Sequence, residues 1–477
     1  MRICYSKINL FLILERSGLV VKVAKFGGSS LASSSQLQKV IDIIRADSKR
    51  RAVVVSAPGK RFSGDIKVTD LLIQYAQAYL AKQPLEPIQS QILARYREIA
   101  AGFELPAADF KPIETHILGL PEQDYASEAY VLDAFKAAGE DNNAKLVAAI
   151  LNHLGMPSHY LSPHESGLVV TDCPGDAQVL ESSYQQLATF RKSKEILIIP
   201  GFFGYTENGA ICTFSRGGSD ITGAIFARAF KAELYENFTD VDAIYAANPG
   251  IVPHPEPIDH LTFREMRELS YAGFSVFHDE ALIPAIEGGI SVRVKNTNHP
   301  EKPGTLISAR KIYDPKKPIS GIASDKGFLG IYVRKYLMNK QVGFVAKILQ
   351  ILDENHVSFE HIPSGIDDVT IIIRESELTP DIEPKVLNEI RQAIKPDDLR
   401  VIHHYALVMI VGEGIQDHIG MMAKATTSIA QAGVSLVTLN HGASPVSIMF
   451  GIREKDTANT VRSLYKAFFK PAKKLQR

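Results

Sequence analysis

With 477 residues, 45% of them hydrophobic and 22% charged, the chain is long enough for roughly two to four domains, each with its own core. Its 53 basic residues balance 53 acidic ones, which excludes bulk-charge binding of nucleic acid or an anionic membrane and leaves local grip as the way to hold an anion. Three widely spaced cysteines (Cys4, Cys173, Cys212) and 14 histidines without metal-ligand spacing exclude a disulfide framework and a structural metal.

Residues 1–19 contain a short apolar run, Ile8 to Leu14, which ends at Glu15-Arg16 without a small-residue cleavage site. It is too short to span a bilayer. The segment reads as an extension, disordered or a mis-called start, on a cytoplasmic protein. Next, the strand-like run from Val20 delivers Lys25 into Phe26-Gly27-Gly28-Ser29-Ser30, and Leu37, Val40, Ile41 and Ile44 begin a helix. Glycines admit backbone N–H groups close to an anion, the helix start adds partial positive charge, and the lysine adds a full one. No Gly-Lys-Ser/Thr closes the turn and no third spaced glycine follows, so this is neither a Walker A loop nor a dinucleotide fingerprint.

From Val20 to about Ser308, β-type runs (Val20–Ala24, Ala52–Ser56, Ser166–Thr171, Ile196–Pro200) alternate with amphipathic stretches such as Thr69–Leu80 and Asn143–Leu154. This predicts an α/β three-layer sandwich with a mostly parallel central sheet and ligands at the carboxyl ends of its strands. Gly139-Glu140 reads as a helix start. Glu140 there is either a dipole-favoured acid or a carboxylate awaiting a substrate ammonium. A second glycine turn, Arg216-Gly-Gly-Ser219-Asp220, opens a helix at Ile221. Arg216 can fork a carboxylate or phosphate, while Asp220 can cap the helix or orient a lysine or metal. The stretch Glu236 to Pro249 reads as a strand entering a turn, either a nucleotide frame or a plain surface loop.

Around Pro300–Pro318 the texture turns proline-rich, marking a boundary: a first domain over 20–308, a linker over 309–322, and further units over 323–400 and 401–470. Gly343, Ala346, Lys347, Val357, Ser358, Gly365, Val369 and Ile371 recur as Gly420, Ala423, Lys424, Val434, Ser435, Gly442, Val446 and Ile448, a gapless offset of 77 residues. Two tandem α+β units follow, built from a βαββ pattern and able to exchange strands. They serve either as dimer-holding domains or as small-ligand sensors.

In order and spacing these segments resemble the aspartokinase family of the amino-acid kinase superfamily, over essentially the whole chain from Val20. Lys25-Phe-Gly-Gly-Ser-Ser30 is similar to the family's K-F-G-G-[ST]-S signature. Val54-Val-Ser56-Ala, then Val68-Thr69-Asp70-Leu-Leu after an inserted loop, resembles its V-V-S-A…V-T-[ND]-L segment. Gly139-Glu140, Arg216 to Asp220, Thr239-Asp240-Val-Asp242 and Asn296-Thr297…Pro300…Gly304-Thr305 match too. The repeat looks like the paired, ferredoxin-like ACT domains of monofunctional members.

The resemblance implies transfer of the ATP γ-phosphoryl group to the β-carboxylate of L-aspartate, the first step toward lysine, threonine and methionine, with Mg2+ held mainly by the nucleotide phosphates. It implies that Lys25 and Asp220 are catalytic. It places Ser56, Thr69, Glu140, Arg216 and Ser219 on the substrate, and Gly27, Gly28, Ser29, Thr239, Asp240, Tyr245 and Ser275 on ATP with Lys25. Two departures stand out. Ser275 occupies the place of a lysine common in the family, and Gly250 that of an arginine, which makes Lys295 and Arg293 the candidates to compensate. In the first ACT unit the resemblance puts an effector, lysine with threonine as rival co-effector, near Met338, Gly343, Phe344, Val345, Ser358 and Glu360. A homodimer or dimer of dimers through the ACT units is implied. The alternatives are a kinase for glutamate or N-acetylglutamate, and a non-catalytic ACT sensor of amino acids.

Overall fold

A computed structural model describes residues 20–215, 217–274, 279–312, 314–442 and 444–470. The chain divides into two compact units, one of residues up to 244 with 259–263 and 277–311, the other of 245–258, 264–276 and 312 onward. Two segments inside the expected 20–308 region therefore cluster with the C-terminal part.

The first unit is built on strands β1 (Lys22–Phe26), β2 (Arg50–Val55), β3 (Ser158–Tyr160), β4 (Ile196–Pro200), β7 (Leu234–Thr239), β8 (His260–Thr262), β9 (Val292–Asn296) and β10 (Thr305–Ser308), with a small hairpin of β5 (Phe203–Tyr205) and β6 (Ile211–Thr213). The eight-stranded sheet runs β3-β4-β2-β1-β7-β9-β10-β8. Only β9 and β10 pair antiparallel. Its strands are short and apolar, and Val23, Ala24, Phe26 and Val53 to Val55 are inaccessible to water, as expected of a sheet covered on both faces. The helices are α1 (Ser34–Ala46), α2 (Val68–Leu80), α3 (Glu86–Ala101), α4 (Ala107–Gly119), α5 (Glu128–His153), α6 (Pro163–Ser166), α7 (Ser183–Thr189), α8 (Gly218–Ala229), α9 (Phe263–Tyr271, mostly in the second unit) and α10 (Ile283–Glu287). Helices α1 to α5 close one large core around Tyr75, Tyr96 and Phe135.

Two sequence expectations change here. Ser166–Thr171 is no sheet strand. Ser162 accepts a hydrogen bond from the Glu165 N–H at 3.0 Å and caps the turn α6, after which Val169 and Val170 make only isolated bridges. Nor does a helix begin after Glu140. One 26-residue helix, α5, runs straight through it. Its middle is buried all round, including Asp141, Asn142 and Asn143, so the one-sided periodicity that announces a surface helix is missing.

In the second unit, β11 (Gly321–Arg334), β12 (Asp368–Arg374), β13 (Asp398–Val411), β14 (Thr438–His441) and β15 (Ser447–Arg453) form one sheet in the order β12-β11-β13-β15-β14. Helices α11 (Phe344–Glu354), α12 (Glu383–Ile394), α13 (Met421–Gln431) and α14 (Thr457–Phe469) accompany it. The 14-residue strands β11 and β13 serve both repeats. Ile331 to Arg334 pair with Val401 to Asp398, while Gly321 to Lys326 pair with Val411 to Ala406. The first half of β11 thus completes the sheet of the second repeat. Within this unit the Ile322 N–H donates to the Ala246 carbonyl at 2.8 Å, and Ser320 Oγ donates to the Glu265 carboxylate at 2.6 Å. Among the described residues no helix is long and apolar enough to cross a membrane.

Candidate active site

Parallel register brings the ends of β1, β2 and β7 together: Lys25 pairs with Val54 on one side and Asn237 on the other. Lys25 is buried, and its ammonium lies 2.6 Å from Asp220 Oδ1. That same oxygen accepts from Asn237 Nδ2 at 2.7 Å, and Tyr235 OH donates to the Asp220 carbonyl at 3.1 Å. Asp220 sits in the first turn of α8, which starts after Gly217 in the left-handed region (φ 79°). The lysine is therefore held in a fixed position at the end of β1 by its contact with Asp220.

After β1 the chain turns through Gly27 into a short helical turn, Gly28–Leu31. At such a start the N–H groups of Gly28 and Ser29 have no intrahelical acceptor and are available to an anion. Ser30 Oγ and Thr297 Oγ1 lie 2.7 Å apart and brace the turn from behind. In front, the Gly59 N–H donates to the Gly28 carbonyl at 2.8 Å. The two backbones are so close that a Cβ on Gly28 would stand 2.8 Å from the Ala57 carbonyl oxygen, and one on Gly59 2.5 Å from the Gly28 carbonyl carbon.

A cleft of about 540 Å3 opens over this turn. Gly28, Ser29, Ser56, Thr69, Glu140 and Asp240 line it together with Lys60 and Lys67. Glu140 reaches it from the middle of α5, where Gly139 packs against Ala57 and Leu72. Burial pushes the Glu140 carboxyl up to about 7, opposed by the Ala57 N–H and by the charge of Lys25. Its Oε2 is buried without a hydrogen-bond partner among the described residues. An unmatched buried carboxylate oxygen costs free energy that a cationic ligand recovers.

Of the sequence-predicted residues, Lys25, Gly27, Gly28, Ser29, Ser56, Thr69, Glu140, Ser219, Asp220, Thr239 and Asp240 share the first unit. Ser219 is buried beside Asp220 in α8, and Thr239 ends β7 with its hydroxyl donating to Asp240 at 3.3 Å. Tyr245 belongs to the second unit and bridges Pro257. Arg216 and Ser275 lie outside the described residues, as do residues 1–19. Lys295 and Arg293 do not compensate on the Lys25 side. They pair with Phe238 and Glu236 and so stand on the opposite face of the sheet, where Arg293 donates to the Pro303 carbonyl.

Asn237, Lys60 and Lys67 fall outside every motif of the sequence. Asn237 looks like an ordinary strand residue. The two lysines belong to the inserted loop, and the Pro58-Gly59-Lys60 turn was the available signal.

In the first repeat, Met338 is buried in a short turn and Gly343 precedes α11 with φ 75°, while Phe344 is buried and Ser358 exposed. Glu360 is not a free acid. Arg374 Nε donates to it at 2.8 Å and Tyr271 OH donates to its other oxygen. Among the described residues no cluster of three or more His, Cys, Asp or Glu could hold a metal ion.

The family model described as the amino acid kinase family matches residues 21–296, and an ACT domain model matches 408–468. Aspartokinase 3 of Bacillus subtilis (strain 168) is 48% identical over 449 residues, 94% of this chain and 99% of the relative. The crystal structure of Clostridium acetobutylicum aspartate kinase matches with a TM-score of 0.82 at 35% identity, covering 94% of this chain and all of that one. E. coli aspartokinase III, solved with aspartate and ADP (R-state) and with lysine and aspartate (T-state), shares the fold at 24% identity, with TM-scores of 0.74 and 0.75 over 94% of this chain and all of those chains. The chain belongs to the aspartokinase family of amino acid kinases and is an aspartate kinase with C-terminal ACT domains.

Proposed function

We propose that the cleft transfers the γ-phosphoryl group of ATP to the β-carboxylate of L-aspartate, giving 4-phospho-L-aspartate. The observation that carries this reading is an oriented lysine, Lys25 on Asp220, whose charge acts on the buried Glu140 carboxylate that lines the cleft with one oxygen lacking a partner among the described residues. The acceptor carboxylate is ionised at neutral pH, so no general base is required. Catalysis then consists of bringing two anions together and stabilising the charge spread over the moving phosphoryl group. Lys25 and the Gly28 and Ser29 N–H groups serve that end, while Asp220 and Asn237 position Lys25. Glu140 takes the substrate ammonium; Ser56 and Thr69, with Arg216 and Ser219, take the α-carboxylate. Gly27, Thr239 and Asp240 complete the nucleotide side. Mg2+ arrives on the phosphates of ATP and supplies charge neutralisation there.

Lysine is the proposed effector at the first ACT unit, with threonine as co-effector the rival. Met338, the Gly343–Val345 turn and Ser358 frame its site, and its ammonium competes with Arg374 and Tyr271 for Glu360. Coupled ADP release with aspartate, glutamate and N-acetylglutamate, repeated with Lys25→Ala and Glu140→Ala, tests the reaction. Turnover independent of aspartate, or none at all, overturns it. Full activity in millimolar lysine, with and without threonine, overturns the effector assignment.

A further inference from the structure

We infer that the inserted loop between β2 and α2 is a cationic clamp for the terminal phosphate of the nucleotide, with Lys60 and Lys67 as its charged groups. The inference rests on the kinase reading of the cleft and assigns residues that neither the signature motifs nor the fold supplies.

The argument begins with charge. Lys25 is already ion-paired with Asp220 at 2.6 Å, and the charged residues that line the cleft are Glu140, Asp240, Lys60 and Lys67. A nucleoside triphosphate and a dicarboxylate meeting there need positive charge that is not already neutralised. Lys60 and Lys67 have it: neither ammonium has a carboxylate or carbonyl partner among the described residues.

The loop backbone is tied down, so the exposed lysines leave the chain at fixed points beside the cleft. Arg61 grips Asp65 through its backbone N–H at 2.9 Å, through Nε at 2.9 Å and through Nη2 at 3.0 Å. It reaches Glu98 on α3 with Nη1 at 2.5 Å. The Arg61 hydrogen bonds hold the Asp65 carboxyl well below the usual carboxylate range. Buried Arg95 donates from Nη2 to the Gly59 carbonyl and from Nη1 to the Ile66 carbonyl, each at 2.7 Å, clipping both ends of the loop to α3.

Placement decides which anion is served. Lys60 follows Gly59, whose N–H is bonded to Gly28 of the phosphate turn. Lys67 precedes α2, whose Val68 N–H is bonded to the Pro58 carbonyl at 3.1 Å. The two lysines thus flank the backbone contact between loop and phosphate turn. A loop backbone fixed in advance lowers the entropy lost when its lysines meet a phosphate.

The test is calorimetric binding of ADP and of a non-hydrolysable ATP analogue to wild type, to Lys60→Ala/Lys67→Ala, and to Lys60→Arg/Lys67→Arg. The alanine pair is expected to weaken the triphosphate analogue about tenfold or more and ADP less than about threefold. The arginine pair should retain most of the affinity. In turnover, KM for ATP should rise with KM for aspartate within about twofold, and the ionic-strength dependence of KM for ATP should flatten. Equal losses for ADP and the analogue, no loss for either, or a rise in KM for aspartate as large as that for ATP would each overturn the clamp. Calorimetry needs no turnover, so a wild type that binds nucleotide but ignores aspartate fails the kinase reading and leaves the clamp separately measurable.

Discussion

Replacing Glu140 by glutamine puts a number on the site. Burial raises this carboxyl from 4.5 to about 7, and at about 1.4 kcal/mol per unit, keeping it ionised in the free enzyme costs on the order of 3 kcal/mol. The folded value lies above the unfolded one. The contribution to stability is therefore complete below about pH 4.5, falls as pH rises to about 7, and is constant beyond. Glutamine keeps the shape and removes the titration. Melts of the variant should lose this slope and gain a few degrees over wild type at about pH 8, with little difference at about pH 5. Binding should move the other way. A substrate ammonium recovers the cost of the buried carboxylate, so losing it should raise KM for aspartate about 100-fold. In wild type, aspartate must displace a proton from Glu140 in acid, so its KM should climb toward tenfold per unit as pH falls below about 7. Coupled ADP release and thermal melts from about pH 5 to 8.5 read all of these quantities. A glutamine variant with wild-type KM and an unchanged melt profile would refute the reasoning.

Three further outcomes follow from the geometry. Asn237→Ala removes the 2.7 Å hydrogen bond to Asp220; kcat should fall about tenfold while KM for aspartate stays within about twofold, because the bond positions Lys25 and touches no substrate. Gly59→Ala would place a Cβ within 2.8 Å of three backbone atoms of Gly28 and Ser29. The phosphate turn must then shift, and kcat/KM for ATP should drop at least about 100-fold in a protein whose circular dichroism is unchanged. Tyr271→Phe deletes the hydroxyl that donates to Glu360. An effector ammonium then meets less competition, so the lysine inhibition midpoint should fall about threefold with basal kcat unchanged; an unmoved midpoint would count against Glu360 as an effector contact.

Motif-bearing parts of the candidate site are legible because glycine turns of close backbone approach restrict residue choice. Lys25 with Gly27 and Gly28, Ser219 with Asp220, and the 77-residue repeat needed no coordinates to be noticed. Glu140 was noticed for the wrong local reason. A buried helix carries no one-sided apolar stripe, so the run Gly139-Glu140-Asp-Asn-Asn reads as a break, whereas in α5 Asp141 and Asn143 meet tertiary partners: Asn143 Nδ2 donates to the Ser56 carbonyl at 2.6 Å, and Asp141 accepts from Tyr160 OH. Nothing local singles out Lys60 and Lys67, because loop lysines are ordinarily solvated.

The α/β alternation, the two glycine turns with the charged residues beside them, and the doubled C-terminal unit are readable in one dimension, because they depend on local backbone preference and residue type. Tertiary structure alone decided the rest. Sheet register put Lys25 on one face and Lys295 on the other, since side chains alternate along a strand and no motif records which strand lies alongside. Packing filled both oxygens of Glu360 and left one oxygen of Glu140 without a partner. Long-range pairing gave the first half of β11 to the second repeat and drew residues 245–258 and 264–276 into the regulatory unit, because hydrogen bonds and buried area are gained between segments far apart in the chain.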